Sequence, residues 1–278
     1  MSHPLVTTAW LADHLADPNL VLVDASWYLP AMGRKGYPEY LSSHLPGAVF
    51  FGIDEIADKT TSLPHMLPTP AEFAAAVGKL GIAATDTIVV YDEAGIFSAP
   101  RVWWTFKTMG AENVFVLDGG GPKWRAEGRP VEVGAVAKTP RTFTPNFRPA
   151  AVADFGNMLE LTKTREKAIL DARPADRFRG EVPEPRPGLA SGHMPGSTSV
   201  PASTVVANGQ MKPAAELATL FQSAGVDLSK PIVTSCGSGV TASTVALALA
   251  IAGAGDVAVY DGSWAEWGSR LDAPVEKG

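Results

Sequence analysis

Cysteine is nearly absent from this sequence: the chain of 278 residues contains only one, Cys236. A single cysteine excludes an intramolecular disulfide and any metal site that is built from several thiolates. The five histidines are scattered without the spacing of metal ligands, so no metal is predicted. Asp118 to Gly121 resembles half of a dinucleotide fingerprint, but Pro122 and Trp124 follow where a phosphate-binding helix would begin, so no cofactor is predicted.

Excess basic charge and long apolar runs are also missing. The net charge is −6, which argues against a general nucleic-acid-binding protein because such a protein carries a basic face. The longest apolar run, near Val245 to Ala252, is too short to cross a bilayer. The first residues lack a basic stretch followed by an apolar core, so no secretory signal is expected. These features predict a cytoplasmic protein without nucleic-acid or membrane partners.

The chain instead contains an internal repeat. Four landmarks of the first half recur in the same order in the second half, between 143 positions later (Trp124 and Trp267) and 149 positions later (His44 and His193). The landmark pairs are Asp24 with Asp171, His44 with His193, Asp92 with Cys236, and Trp124 with Trp267. A constant order at nearly constant separation indicates a tandem duplication.

Each half alternates short apolar runs with helical patterns. Helices are predicted at 10–15, 70–80, 99–108, 153–163, 212–224 and 241–252. This alternation predicts an α/β fold in two copies, each a mostly parallel sheet flanked by helices. We expect an N-terminal domain at 1–135, a polar and proline-punctuated linker at 136–150, and a C-terminal domain at 151–278.

Cys236 follows a β-branched run and precedes a long apolar helical pattern, so it is expected in the turn between a strand and a helix. Gly237 and Gly239 allow the backbone to curl so that several N–H groups point inward and bind an anion. The start of the following helix adds partial positive charge. Both effects favour a reactive thiolate, and the alternative is a buried, inert cysteine.

The two halves differ at this position, because the first half has Asp92 where the second has Cys236. A carboxylate cannot act as a sulfur nucleophile. The second half is therefore predicted to be the catalytic copy. The first half is expected to be inactive and to contribute structure and one wall of a cleft.

These pieces resemble the two-domain rhodanese-like sulfurtransferases across the whole chain. The resemblance rests on Asp171-Ala-Arg173, Gly192 to Gly196, the Cys236 loop and Tyr260 to Trp267. Thiosulfate-preferring members carry basic residues after the cysteine, whereas the stretch from Cys236 to Thr241 has none. The loop is similar to that of the members that use 3-mercaptopyruvate.

The resemblance implies a small-molecule sulfur donor and a reaction in two half-steps. Cys236 attacks the donor sulfur, pyruvate leaves, and the resulting persulfide passes to thioredoxin, another thiol or cyanide. Arg177 and Arg186 are implied to hold the donor carboxylate, which suits the forked guanidinium group. The loop residues around the donor would be Gly237, Gly239, Val240 and Thr241.

The resemblance also implies a proton-handling set that contains Ser238, His44 and an aspartate. The sequence departs from that pattern, because no aspartate lies between Gly33 and His44. The alternative for His44 is a structural turn histidine, since His193 occupies the same context in the repeat.

Three other functions stay open at this stage. A cysteine phosphatase would need an arginine six positions after the nucleophile, but Ala242 is there, so this function is disfavoured. Thiosulfate:cyanide sulfur transfer would use the same thiolate, with poor affinity expected because the loop lacks cations. A non-enzymatic persulfide carrier would share the chemistry of Cys236 but would not need the arginine pair.

Overall fold

The computed structural model describes residues 3–278, which divide into two compact units. Unit 1 comprises residues 3–59, Leu67–Arg148 and Asn208–Met211, and unit 2 comprises Thr60–Met66, Pro149–Ala207 and Lys212–Gly278. None of the helices in the described part of the chain is long and apolar enough to cross a membrane.

Unit 1 is built on a five-stranded parallel sheet with the strand order β1-β5-β4-β2-β3. Its strands are β1 (Leu5–Val6), β2 (Leu20–Asp24), β3 (Val49–Phe50), β4 (Thr87–Tyr91) and β5 (Val114–Leu117). Its helices are α1 (Thr8–His14), α2 (Gly36–Ser42), α3 (Pro70–Lys79), α4 (Ala99–Thr108) and α5 (Gly120–Ala126). The central strands are valine-rich and buried, as expected for parallel strands that are covered on both faces.

Unit 2 repeats this architecture, with the strand order β6-β12-β11-β7-β8. Its sheet strands are β6 (Val152–Ala153), β7 (Ala168–Asp171), β8 (Ser197–Ser199), β11 (Ile232–Ser235) and β12 (Val257–Tyr260), and a further short strand is β9 (Val206–Ala207). The short strand β10 (Gln210–Met211) belongs to unit 1. Its helices are α6 (Phe155–Thr164), α7 (Ala175–Phe178), α8 (Ala214–Ser223), α9 (Val240–Ala252) and α10 (Ser263–Trp267). The predicted fold class is therefore confirmed in both units.

Local sequence signals explain where the helices begin. Thr69 and Glu72 form a reciprocal capping box ahead of α3, and Asp154 and Asn157 form one ahead of α6. α9 is buried along nearly its whole length, which agrees with its continuous run of small and branched apolar residues.

The segment predicted as a linker has defined contacts within unit 1. Arg141 forms an ion pair of 2.8 Å with the buried carboxylate of Asp86. Phe143 is buried and packs edge-on against Phe73, with ring centroids 5.3 Å apart. Residues 136–148 therefore pack against unit 1 in the region of α3.

Candidate active site

Cys236 lies directly after the central strand β11, at the carboxyl end of the unit 2 sheet. In open parallel sheets this edge is where ligands bind. The cysteine is free and only 1% exposed. Gly239 ends that loop at a φ of +79°, a left-handed conformation that favours glycine, and α9 begins at the next residue.

The loop after Cys236 leaves backbone donors available. Within residues 3–278, the N–H groups of Gly237, Ser238 and Gly239 have no hydrogen-bond acceptor. Successive free N–H groups at the start of a helix form a site for negative charge. Val240 and Thr241 belong to the first turn of α9 and directly follow these donors in the chain.

A second loop, between β12 and α10, fixes the nucleophile in place. The Cys236 N–H donates to Ser263 Oγ at 3.2 Å, and that hydroxyl donates to the Tyr260 carbonyl at 2.8 Å. The N–H groups of Trp264 and Ala265 donate to the carbonyls of Cys236 and Gly237, both at 2.9 Å. Cys236 is therefore held through both its amide and its carbonyl.

Ser263 was missed by the sequence analysis. Its φ of +50° is unusual for a residue with a side chain and costs roughly 1–2 kcal/mol. The repeat contained a usable signal, because Gly120 occupies the matching place in unit 1 at a φ of +55°. A serine that replaces glycine at a strained position suggests that its hydroxyl has a function.

The two arginines proposed from sequence both lie beside the Cys236 loop. A Cβ atom built on Gly237 would lie 3.3 Å from Arg177 Nη2 and 3.8 Å from Arg186 Nη1. Gly237 therefore leaves the space in which both guanidinium groups approach the loop. No hydrogen bond or ion pair is found for Arg186 among residues 3–278, whereas Arg177 is paired with Glu184.

A buried ion-pair network supports these arginines, and sequence reasoning did not find it. Arg173 donates to both carboxylate oxygens of Asp171 at 2.6–3.0 Å and to Glu184 Oε1 at 2.8 Å. Its guanidinium also lies over the Trp264 ring, 3.9 Å from the centroid. Asp171-Ala-Arg173 was noticed as a motif, but only the folded chain shows that Arg173 and Arg177 share Glu184.

The two other predicted catalytic residues have different surroundings. Ser238 lies in the loop itself, two residues after Cys236, and is nearly buried. The His44 ring is fully buried in unit 1, with Nδ1 2.9 Å from the Tyr40 carbonyl and the ring stacked on Tyr40. His193 has the same contacts with Phe178. These contacts favour a structural role for His44.

In unit 1, a side chain of the chain itself, Asp92, binds the backbone N–H groups of the corresponding loop. Asp92 is fully buried, and its carboxylate accepts N–H groups from Ala94, Phe97, Ser98 and Ala99 at 2.8–2.9 Å. Burial raises the pKa of this carboxyl, and the four N–H groups oppose the rise. Unit 1 therefore has the same kind of anion site, filled by a carboxylate of the chain.

Comparisons with known proteins agree with this geometry. The rhodanese-like domain matches residues 7–127 and 152–270. The chain is 46% identical to 3-mercaptopyruvate sulfurtransferase of Escherichia coli (strain K12), over 96% of this chain and 95% of that protein. It is 42% identical to the Homo sapiens protein of the same name, over 96% and 92%.

Solved structures give the same result. The crystal structure of SseA from Escherichia coli, described as a 3-mercaptopyruvate sulfotransferase, is similar with a TM-score of 0.87 and 42% identity, over 95% of this chain and 99% of that one. The Tum1 protein of Saccharomyces cerevisiae gives a TM-score of 0.90 and 32% identity, over 98% and 97%. The chain belongs to the rhodanese-like family, as a sulfurtransferase with two such domains.

Proposed function

We propose that the chain transfers sulfur from 3-mercaptopyruvate to a thiol acceptor through a persulfide on Cys236. The observation that carries the proposal is the arrangement around Gly237: a nucleophilic cysteine, free backbone N–H groups and two guanidinium groups converge on one small loop. Relatives that carry this donor in their names cover nearly the whole chain.

The donor carboxylate binds to the arginines. Arg186 contributes a guanidinium group that no other group of the described chain engages, and a bidentate pair with a carboxylate is the strongest contact such a group makes. Arg177 contributes the donors that Glu184 leaves free. This placement directs the sulfur of the donor toward Cys236.

The sulfur transfer then follows. The Cys236 thiolate attacks the donor sulfur, a new S–S bond forms, and the C–S bond breaks. The electron pair of that bond passes into the enolate of pyruvate, which takes up a proton at carbon. The N–H groups of Gly237, Ser238 and Gly239 stabilise the negative charge around the reacting sulfur.

Ser238 is the side-chain hydroxyl of the loop that lies closest along the chain to Cys236, and we assign it the hydrogen bond to the departing carbonyl oxygen. His44 is not needed in this mechanism. The second half-step is attack of an acceptor thiol, such as that of thioredoxin, on the outer sulfur. This attack regenerates the Cys236 thiolate, and cyanide can replace the thiol in an assay to give thiocyanate.

The proposed function is tested by comparing two donors. Pyruvate release from 3-mercaptopyruvate is expected to exceed thiosulfate-dependent thiocyanate formation by at least about tenfold in kcat/KM, because the loop itself has no cation and only Arg186 beside it is unpaired in the described chain. A mass increase of about 32 Da on the peptide that contains Cys236 is expected after donor treatment without acceptor. A higher kcat/KM for thiosulfate would show that the donor assignment is wrong.

The arginine assignment has its own test. Arg186→Ala is expected to raise KM for 3-mercaptopyruvate about 30- to 100-fold, the loss of a charged hydrogen-bonded pair. Arg179→Ala is the matched control, because Arg179 lies nearby in sequence but is exposed and paired with Glu181. Equal effects of the two substitutions would exclude a direct role of Arg186 in binding.

A further inference from the structure

Glu184 is an acidic side chain that binds the guanidinium group of Arg177 beside the Cys236 loop. Its side chain is only 2% exposed and accepts hydrogen bonds from Arg173 Nη1 at 2.8 Å, Arg177 Nε at 3.2 Å and Arg177 Nη2. A buried carboxylate beside a site for anions is unfavourable for binding them, so its presence requires an explanation.

The charges around the site can be paired one by one. Asp171 compensates Arg173 through a bidentate contact, and Glu184 compensates Arg177. Arg186 has no such partner among residues 3–278. The group of five charged side chains therefore offers a donor about one unit of positive charge. A donor with one carboxylate matches that charge, and a dianion exceeds it.

We propose that Glu184 determines donor specificity, by limiting the positive charge beside Cys236 so that a monoanionic sulfur donor is preferred to a dianionic one. This inference rests on the proposed function and deepens it. Its physical basis is that removing one negative charge improves the binding of a dianion about twice as much, in free energy, as that of a monoanion. At an effective dielectric constant of about 20 and a separation of about 10 Å across the Arg177 guanidinium, the difference corresponds to roughly a tenfold change in donor preference.

The experiment compares Glu184→Gln with Glu181→Gln. Both substitutions remove one negative charge that is paired with an arginine, but Glu181 is 54% exposed and lies on Arg179, away from Gly237. The measured quantity is the ratio of kcat/KM for thiosulfate to kcat/KM for 3-mercaptopyruvate. A ratio within one preparation does not depend on the fraction of folded enzyme. We expect it to rise about tenfold in Glu184→Gln and less than twofold in Glu181→Gln.

Glu184→Asp separates charge from shape. It keeps the charge and shortens the side chain, so its donor ratio is expected to stay within twofold of the wild type even if both activities fall. A shift as large as that of Glu184→Gln would mean that packing determines the preference, and an unchanged ratio in Glu184→Gln would overturn the proposal outright.

A further measurement remains decisive if Glu184→Gln turns over neither donor. Cys236 is the only cysteine, so alkylation reports on this site alone. The rate with anionic iodoacetate relative to neutral iodoacetamide is expected to rise several-fold in Glu184→Gln, and an unchanged rate ratio contradicts the proposal. Failure of the proposed function has a different signature, because it is a preference for thiosulfate in the wild-type enzyme.

Discussion

The two units place different side chains at the same point of one fold: Asp92 after β4 in unit 1 and Cys236 after β11 in unit 2. In unit 1, the aspartate carboxylate accepts four backbone N–H groups of the loop. In unit 2, the loop is shorter and its N–H groups remain available. The comparison teaches that the fold supplies an anion site at this edge, and the residue that follows the strand decides whether the chain or a substrate occupies it.

The largest expected effect is on the nucleophile. Cys236→Ser should lower turnover with either sulfur donor at least about a thousandfold, because a serine hydroxyl cannot form the persulfide. Steady-state pyruvate release and thiocyanate formation measure it. Asp92→Ser is the companion variant in unit 1. It leaves Cys236 in place, so any loss of activity should come from a lower stability of the folded protein. Residual turnover of Cys236→Ser at a tenth of wild type would contradict a single-nucleophile mechanism.

For the free energy of unfolding, the substitution in unit 1 should have the larger effect and the substitution of Cys236 the smaller one. Asp92→Ala leaves four N–H groups of unit 1 without their acceptor, and each buried donor left unsatisfied costs about 1–3 kcal/mol. With partial relaxation we expect a loss of about 3–5 kcal/mol in the free energy of unfolding. Cys236→Ala, which removes no acceptor, should cost about 1 kcal/mol. Denaturant unfolding of both variants tests the contrast, and equal losses would refute it.

A second pair of matched residues differs in its counterion. Asp24 ends β2 and receives the Ser26 N–H, and burial raises the pKa of its carboxyl to about 6. Asp171 ends β7 and pairs with Arg173. The pKa of Asp24 is higher in the folded chain than in the unfolded chain. The contribution of its carboxyl to the free energy of unfolding is therefore fully present below about pH 4 and is lost as the pH rises through 6.

We therefore compare the free energy of unfolding of Asp24→Asn with that of the wild type at two pH values. The difference should be more favourable to the variant at pH 7 than at pH 4, by up to about 3 kcal/mol. Asp171→Asn, the control, should instead destabilise unit 2 because Arg173 loses its partner. Unfolding midpoints of the two variants and the wild type, measured from pH 4 to 7, test both expectations. A midpoint difference between Asp24→Asn and wild type that does not change with pH would contradict the prediction for Asp24.

Much of the fold could be predicted because its signals are local. The apolar runs of β4 and β11, and the proline that opens α3, define elements without reference to the rest of the chain. The internal repeat added the equivalence of Asp92 and Cys236, which identified the second half as the candidate catalytic copy. The family resemblance, rather than periodicity, supplied Arg177 and Arg186.

The contacts of the site could not be predicted in the same way. The pairing of Arg173 with Glu184 depends on the conformation of residues 174–183, and no periodic pattern in the sequence encodes it. Ser263 matters because of a positive φ, and backbone angles of this kind are visible only in the folded chain. Ser263 matches Gly120 in the repeat, but the sequence analysis did not compare them, and the hydrogen bond to Cys236 is what gives the difference its meaning.

The smallest expected effect concerns this last difference. Ser263→Ala removes the acceptor of the Cys236 N–H but keeps the strained backbone, and we expect kcat to fall about tenfold while KM for 3-mercaptopyruvate stays within twofold, since the arginines still hold the donor. Ser263→Gly also removes the hydroxyl but relieves the strain, as Gly120 does in unit 1. Equal losses of kcat in both variants would show that the hydroxyl positions the nucleophile. If the glycine variant keeps wild-type kcat, the strained backbone rather than the hydrogen bond would be the origin of the effect.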